Sequence, residues 1–161
     1  IVSTKEESTP MTNDAKLLHL LLVEDDDDHA YLVGRNLKTS RIANTLDRVA
    51  DGAEALEYVN QRGEYADKQR PDIILLDLKL PKIDGHEVLN AIKNDPDLMS
   101  IPIVMLTTSD SEADRAKAYT HHVNSYVVKP LDASGFHTMV EQLNLYWGMI
   151  NMGPPPKKID G

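Results

Sequence analysis

Five carboxylates stand in a row at Glu24-Asp25-Asp26-Asp27-Asp28, directly after the apolar run Leu20 to Val23. A lone Asp77 follows Ile73-Ile74-Leu75-Leu76, Thr107 closes Ile103-Val104-Met105-Leu106, and Lys129-Pro130 follows Tyr126-Val127-Val128. Each polar group sits where an apolar run stops. An aspartate carboxylate is a competent nucleophile toward phosphorus, and an ammonium with a hydroxyl can bind and neutralise phosphoryl oxygens. Carboxylates brought to about 5 Å would repel by roughly 3 kcal/mol per pair at an effective dielectric near 20, so a cluster of them calls for a cation. An all-oxygen donor set that leaves room for water and phosphate oxygens suits Mg2+. By itself a charge run is ordinarily a solvated loop, and only convergence with the other segments would give it chemistry.

Convergence depends on the elements that carry these residues. Five short apolar runs read as strands: Leu17–Glu24, Thr45–Val49, Asp72–Asp77, Ile103–Thr107 and Ser125–Val128. Ile73–Leu76 and Ile103–Leu106 are apolar at every position, as strands buried on both faces are. Between the runs lie helical patterns with recognisable starts. Asp51-Gly52-Ala53-Glu54 and Asp84-Gly85-His86-Glu87 each put an Asp three residues before a Glu, as in a capping box. Ser111 opens the stretch containing Ala113, Ala116 and Ala118, and Asp132 opens a last helix with Phe136, Met139, Val140 and Leu143 on its inner stripe.

Strands alternating with helices predict an α/β fold, a five-stranded parallel sheet with helices on both faces and right-handed crossovers. In such sheets ligands bind beyond the carboxyl ends of the strands. That rule brings three acids, Thr107 and Lys129 to one edge, from four separate strands. Periodicity does not fix the last residue of the first strand to within one position, so the acidic pair is Glu24 with Asp25 or Asp25 with Asp26.

Composition sets the outer bounds. The chain has 161 residues, enough for one domain with a real core. Lys plus Arg is 17 against 26 for Asp plus Glu, a net charge of −9, which speaks against nucleic acid as a partner. Cysteine is absent, which excludes disulfide scaffolds, thiol catalysis and cysteine-based metal sites. With no secretory signal and no apolar run long enough to span a bilayer, the expected location is the cytoplasm, with no membrane partner. Residues 1–14 read as a disordered leader with Met11 a candidate native start, 15–152 as the folded domain, and 153–161, with three consecutive prolines, as a disordered tail. The short stretch after Pro130 implies a single-domain protein without a fused output domain.

Taken in order, Val23-Glu24-Asp25, the run Asp77-Leu78-Lys79-Leu80-Pro81-Lys82-Ile83-Asp84-Gly85, then Thr107, Tyr126 and Lys129-Pro130 resemble the receiver domain of two-component response regulators, over about Leu17 to Tyr146. The resemblance implies a flavodoxin-like strand order 2-1-3-4-5. It implies that Asp77 is the phosphoacceptor for a histidine kinase and Asp25 a direct Mg2+ ligand, with Glu24 acting through a bound water. Asp77 and the backbone carbonyl of Lys79 would complete the protein's ligands. The family pattern places one acid before the Asp that ends the strand, which favours Glu24 and Asp25 as the pair. Thr107 and Lys129 would bind phosphoryl oxygens, Thr107 and Tyr126 would form the switch, and the bond to Pro130 would be cis. Lys79 departs from the small polar or apolar residue often found there, although its backbone remains able to bind metal.

The C-terminal side chains Leu145, Tyr146, Trp147, Met149, Ile150 and Met152 exceed what one helix face can bury, so they fold back on the core or form a subunit interface. With Ala118-Tyr119 and His121-His122-Val123-Asn124-Ser125-Tyr126, this end resembles single-domain regulators paired with bacterial phytochrome kinases. That likeness implies a phytochrome-type histidine kinase as donor and a homodimer. As a single-domain regulator the chain is expected to act by binding something or by carrying phosphate onward, with a phosphotransfer protein or downstream effector as further partner.

Other readings fit less well. A calcium loop counted from Asp25 has Ala30 and Asn36 where Gly and Glu are needed. A phosphatase using Asp77 would want a general acid two residues on, where Lys79 stands, so the chain is expected not to be an enzyme. The adjacent His121 and His122 point apart on a helix and read as surface residues. Tyr126 could be a mere packing aromatic with its hydroxyl in water. A phosphorylation-independent binding or dimerisation module with a receiver fold is the alternative from another class.

Overall fold

The apolar runs form strands whose side chains alternate between two cores. A computed structural model of the chain describes residues 17–40 and 43–129, with 132, 134, 135, 137–139 and 141 beyond them. The elements are β1 (Leu18–Val23), α1 (Asp27–Lys38), β2 (Asn44–Val49), α2 (Gly52–Val59), a short 3-10 turn (Gly63–Tyr65), β3 (Ile73–Leu76), α3 (Gly85–Lys93), β4 (Ile103–Thr107), α4 (Glu112–Thr120) and β5 (Ser125–Val128). The strands are ordered β2-β1-β3-β4-β5 and every pair is parallel, as the resemblance implied.

Leu18, Leu20, Leu22, Ile73, Leu75, Val104 and Leu106 pack with Val33 and Leu37 of α1 and with Met139. The alternate residues Leu21, Val23, Ile74, Leu76, Ile103 and Met105 pack with α2, α3 and Ala118 of α4. This is the two-residue period of a strand applied to a sheet covered on both faces. The edge strands β2 and β5 are only partly buried, which is why their sequences are mixed in polarity.

Helix starts follow the predicted chemistry with one change. Asp84 and Glu87 form a reciprocal capping box. Asp51 caps α2 through the Glu54 N–H at 2.8 Å, but the Glu54 carboxylate returns to the N–H of Ala50, one residue before the cap. Ser111 caps α4, and Asp132 accepts the Gly135 N–H at 2.8 Å. The start of α1 has its own cap: Asp26 accepts from the N–H groups of Asp28 and His29. Pro130, Phe136, Val140, Leu143, the apolar stretch Leu145 to Met152 and the segments 1–14 and 153–161 lie outside the described residues.

Two Asp-Gly pairs press helix starts against the loop after β3. A Cβ on Gly52 would lie 1.9 Å from the Ile83 carbonyl oxygen, and one on Gly85 would lie 2.3 Å from that of Asp77 and 2.7 Å from the Leu78 Cα. These neighbours are backbone and cannot swing away. Gly85→Ala is expected to destabilise the fold by about 1–3 kcal/mol, seen as a lower urea midpoint. A midpoint equal to the wild type would contradict the close approach.

A polar network joins α2 to the sheet. The buried Tyr58 hydroxyl donates to Asp47 Oδ2 at 2.5 Å and lies 2.8 Å from His19 Nε2, while His19 Nδ1 lies 2.9 Å from the Thr45 hydroxyl. Burial pushes the Tyr58 hydroxyl well above its ordinary ionisation, and the bond to Asp47 and that residue's charge add to it. Its contribution is therefore complete below the unfolded tyrosine value of about 10 and is lost as pH rises toward the folded value. Tyr58→Phe should lower stability by about 1–3 kcal/mol near neutrality. The variant should also show a shallower alkaline loss than the wild type above about pH 10. Denaturant titrations across that range check both, and identical alkaline slopes would count against the network.

Candidate functional site

The parallel register delivers the strand ends side by side. Val23 pairs with Leu76, Leu76 with Met105 and Thr107 with Val128, so the next residues Glu24, Asp77 and Lys129 meet around Thr107. Backbone bonds carry the order one residue past the strands: Glu24 N–H to the Val49 carbonyl at 3.0 Å, and Asp77 N–H to the Val23 carbonyl at 3.0 Å. Carboxylate oxygens of Glu24, Asp25 and Asp77 lie within 4.8 Å of one another. Asp26 caps α1, while Glu24 and Asp25 are the members of the acidic run that cluster with Asp77. Arg48 fixes the loop from β2, with Nε on the Glu24 carbonyl at 2.9 Å and Nη1 on Asp27 at 2.8 Å.

Burial then makes the charges matter. Glu24 is 1% exposed, and the side chain of Lys129 is equally hidden. The Lys129 ammonium donates to Glu24 Oε1 in a short bond and to Asp77 Oδ2 at 3.1 Å. It also lies 2.8 Å from His29 Nδ1. Asp77 Oδ1 accepts the Leu78 N–H at 2.6 Å, and Glu24 Oε2 accepts the Asp26 N–H at 3.1 Å. Burial raises the Glu24 carboxyl above its ordinary value; the Lys129 hydrogen bond opposes this, and the charge of Asp77 reinforces it.

With all three acids ionised, one ammonium leaves the group two negative charges in excess. Asp25 is open to solvent, so water can complete a coordination shell there. This donor set fits a hard divalent cation, which binds a few carboxylate oxygens and keeps several waters. An open depression of about 520 Å³ adjoins it, lined among others by Asp25, Lys79, Asp84, His86 and Asp114.

The predicted switch residues are linked through a third. Thr107 is fully buried, and its hydroxyl oxygen accepts the Ser109 N–H at 3.3 Å. Its carbonyl accepts the Lys129 N–H at 2.6 Å. Tyr126 is buried as well, and its hydroxyl donates to the Ser109 carbonyl at 2.9 Å, where a surface aromatic would have water. The Arg115 guanidinium sits 4.9 Å from the centre of its ring. Ser109 in turn donates to Asp114 Oδ2 at 2.7 Å, and Asp114 Oδ1 lies 3.4 Å from His86 Nε2.

Sequence reasoning had placed Glu24, Asp25, Asp77, Thr107 and Lys129 together, and the structure brings them together. It had passed over His29, Ser109, Asp114, Arg115 and His86. For His29 the available signal is its place four residues after Asp25, in the first turn of a helix that begins beside the acids. The pair His121 and His122 terminates α4: His121 is the C-cap, and His122 takes φ 68°, a turn conformation.

Known proteins resemble this chain in sequence and fold. The response regulator receiver domain family matches residues 20–141. The chain is 42% identical over 137 residues to the probable methanogenesis regulatory protein FilR2 of Methanothrix harundinacea, covering 85% of this chain and 88% of that one. It is 45% identical over 128 residues to the response regulator Rcp1 of Synechocystis, covering 80% and 87%. The crystal structure of Mn2+-bound Rcp1 superposes with a TM-score of 0.74 over 81% of this chain and 94% of that one. That of the phosphorylated cyanobacterial phytochrome response regulator RcpA does so at 0.78, with 40% identity over 88% of this chain and all of the other. Likeness of this extent, over the sheet and all its strand ends, makes the chain a member of the response regulator receiver domain family.

Proposed function

We propose that this chain is a response regulator that accepts a phosphoryl group from a histidine kinase onto Asp77 in a Mg2+-dependent reaction. It signals through altered protein contacts and not through turnover. The observation that carries the reading is the buried Lys129 ammonium on Asp77 Oδ2 beside two further acids. An isolated structural ion pair would need no such excess of negative charge.

The chemistry follows from the residues. A carboxylate oxygen of Asp77 attacks phosphorus; the new O–P bond forms as the bond to the donor breaks, and the donor leaves with the electron pair. The donor is the phosphoimidazole of a kinase or a small acyl phosphate. Lys129 neutralises the phosphoryl oxygens, and the Thr107 hydroxyl binds one of them. Glu24, Asp25, Asp77 and the Lys79 carbonyl would hold the cation, Glu24 by way of a water, and it would supply further charge neutralisation. When Thr107 turns to the phosphoryl group, its bond to Ser109 is given up, and Ser109 is also the partner of Tyr126. The switch is thus a two-state rearrangement of this trio.

The relatives support the finer reading. RcpA is a phytochrome response regulator in a phosphorylated form, and Rcp1 carries Mn2+. By likeness we assign a phytochrome-type histidine kinase as donor, with a phosphotransfer protein or other effector as recipient. The half-exposed Tyr119 on α4 and the partly exposed Val128 on β5 offer apolar surface for such contacts, a homodimer among them. No helix among the described residues is long and apolar enough to cross a membrane, and we place the protein in the cytoplasm.

Intact mass after incubation with acetyl phosphate and Mg2+ should show one phosphoryl adduct. It should vanish with EDTA or with Asp77→Asn; an adduct that survives the substitution would overturn the assignment. Signalling that persists in Asp77→Asn would favour a phosphorylation-independent module. Mg2+ at a hundredfold excess over its dissociation constant should stabilise the fold by about 2.7 kcal/mol. Most of that gain should be lost in Asp25→Asn, as read from urea midpoints. An equal gain in both proteins would remove Asp25 from the ligand set.

A further inference from the structure

The Lys129 ammonium has three N–H donors and three acceptors, and only two of those acceptors belong to the acidic cluster. The third is His29 Nδ1 at 2.8 Å. The Lys129 side chain is 1% exposed, so water has no ready access to replace a lost partner. An ammonium has no acceptor capacity, so a ring nitrogen facing it must be the bare nitrogen of a neutral imidazole, with the proton on Nε2. His29 is held for this role by its place in the first turn of α1. Its backbone N–H bonds to Asp26 Oδ1 at 3.1 Å, and its side chain is largely covered. Asp26 Oδ2 lies 3.9 Å from Nδ1, beyond hydrogen-bond reach.

We propose that His29 is a positioning residue for Lys129. The proposal rests on the reading that Asp77 accepts phosphate. Glu24 Oε1 accepts one N–H of the ammonium from the side of the acidic pair. His29 takes one N–H from the α1 side and confines the nitrogen where its remaining donor faces Asp77 Oδ2. When a phosphoryl group arrives on Asp77, Lys129 redirects that one donor and keeps the other two. Without His29, a buried N–H is left without an acceptor, and the ammonium is free to rotate toward Glu24. The effect falls on the transfer step and not on the metal, because His29 is not among the residues assigned to hold it.

The test is the rate of adduct formation with acetyl phosphate and Mg2+ in the wild type, His29→Leu and His29→Asn, followed by intact mass. Calorimetric Mg2+ affinity and urea midpoints are measured on each. His29→Leu should slow transfer roughly tenfold, the ratio that corresponds to about 1.4 kcal/mol. His29→Asn should restore most of the rate, since an amide oxygen can stand where Nδ1 stands. Mg2+ affinity should stay within about twofold in both, which separates a transfer effect from a binding effect. A Leu variant as fast as the wild type, or an Asn variant as slow as the Leu variant, would overturn the proposal. So would a loss of Mg2+ affinity or of folding stability that accounts for the slower rate. Absence of an adduct on the wild type would instead bring down the phosphoacceptor reading and this role with it, whereas equal rates in all three proteins remove His29 alone.

Discussion

A single buried ammonium set against three converging carboxylates is the constraint on which the rest of this structure depends. Lys129 satisfies Glu24 and Asp77 at once, and it does so from just beyond β5, more than fifty residues of sequence away from either. Such a pair is weak evidence for stability, since taking both charges from water costs about as much as their attraction returns. It is far better evidence of purpose. A fold selected only for stability would fill these positions with apolar side chains, as it fills Leu20–Val23, Ile73–Leu76 and Ile103–Leu106 just below them.

That constraint explains features that would otherwise look unrelated. The sheet must be parallel along β1, β3, β4 and β5 so that the acids, hydroxyl and ammonium share one end. The loops leaving that end must be held still. Arg48 clamps the acidic loop from β2, and the starts of α2 and α3 come so close to the loop after β3 that only glycine fits at positions 52 and 85. The same loop places Lys82 at φ 69°, a conformation a lysine adopts only where its surroundings require it. Rigidity at this end is matched by a well-filled core on both sides of the sheet.

Much of this was legible in the chain because central strands of a parallel sheet advertise themselves. Ile73–Leu76 and Ile103–Leu106 are buried throughout and read as unbroken apolar runs, so the residues that end them could be singled out. The register of the acidic run was not legible from periodicity, because five identical charges carry no phase. A local device distinguishes them in the fold: Asp26 caps α1, while Glu24 and Asp25 cluster with Asp77. The reciprocal box expected at Asp51 formed only in part, since Glu54 reached Ala50 instead. What stayed invisible were contacts between distant segments: His29 with Lys129, Tyr58 with His19 and Asp47, and Ser109 with Tyr126. Each joins residues whose types are ordinary and whose separation in sequence bears no period.

The position of β5 at the edge of the described sheet has a kinetic meaning. An edge strand is tied by a ladder on one side only, and segments of that kind open at a free energy below that of global unfolding. Lys129 follows directly on this strand, with its own N–H anchored on Thr107. Whenever β5 detaches, the charge-neutralising group leaves with it while the acids on the central strands remain in place. Amide exchange protection along β5 therefore reads how often the three acids stand without their ammonium.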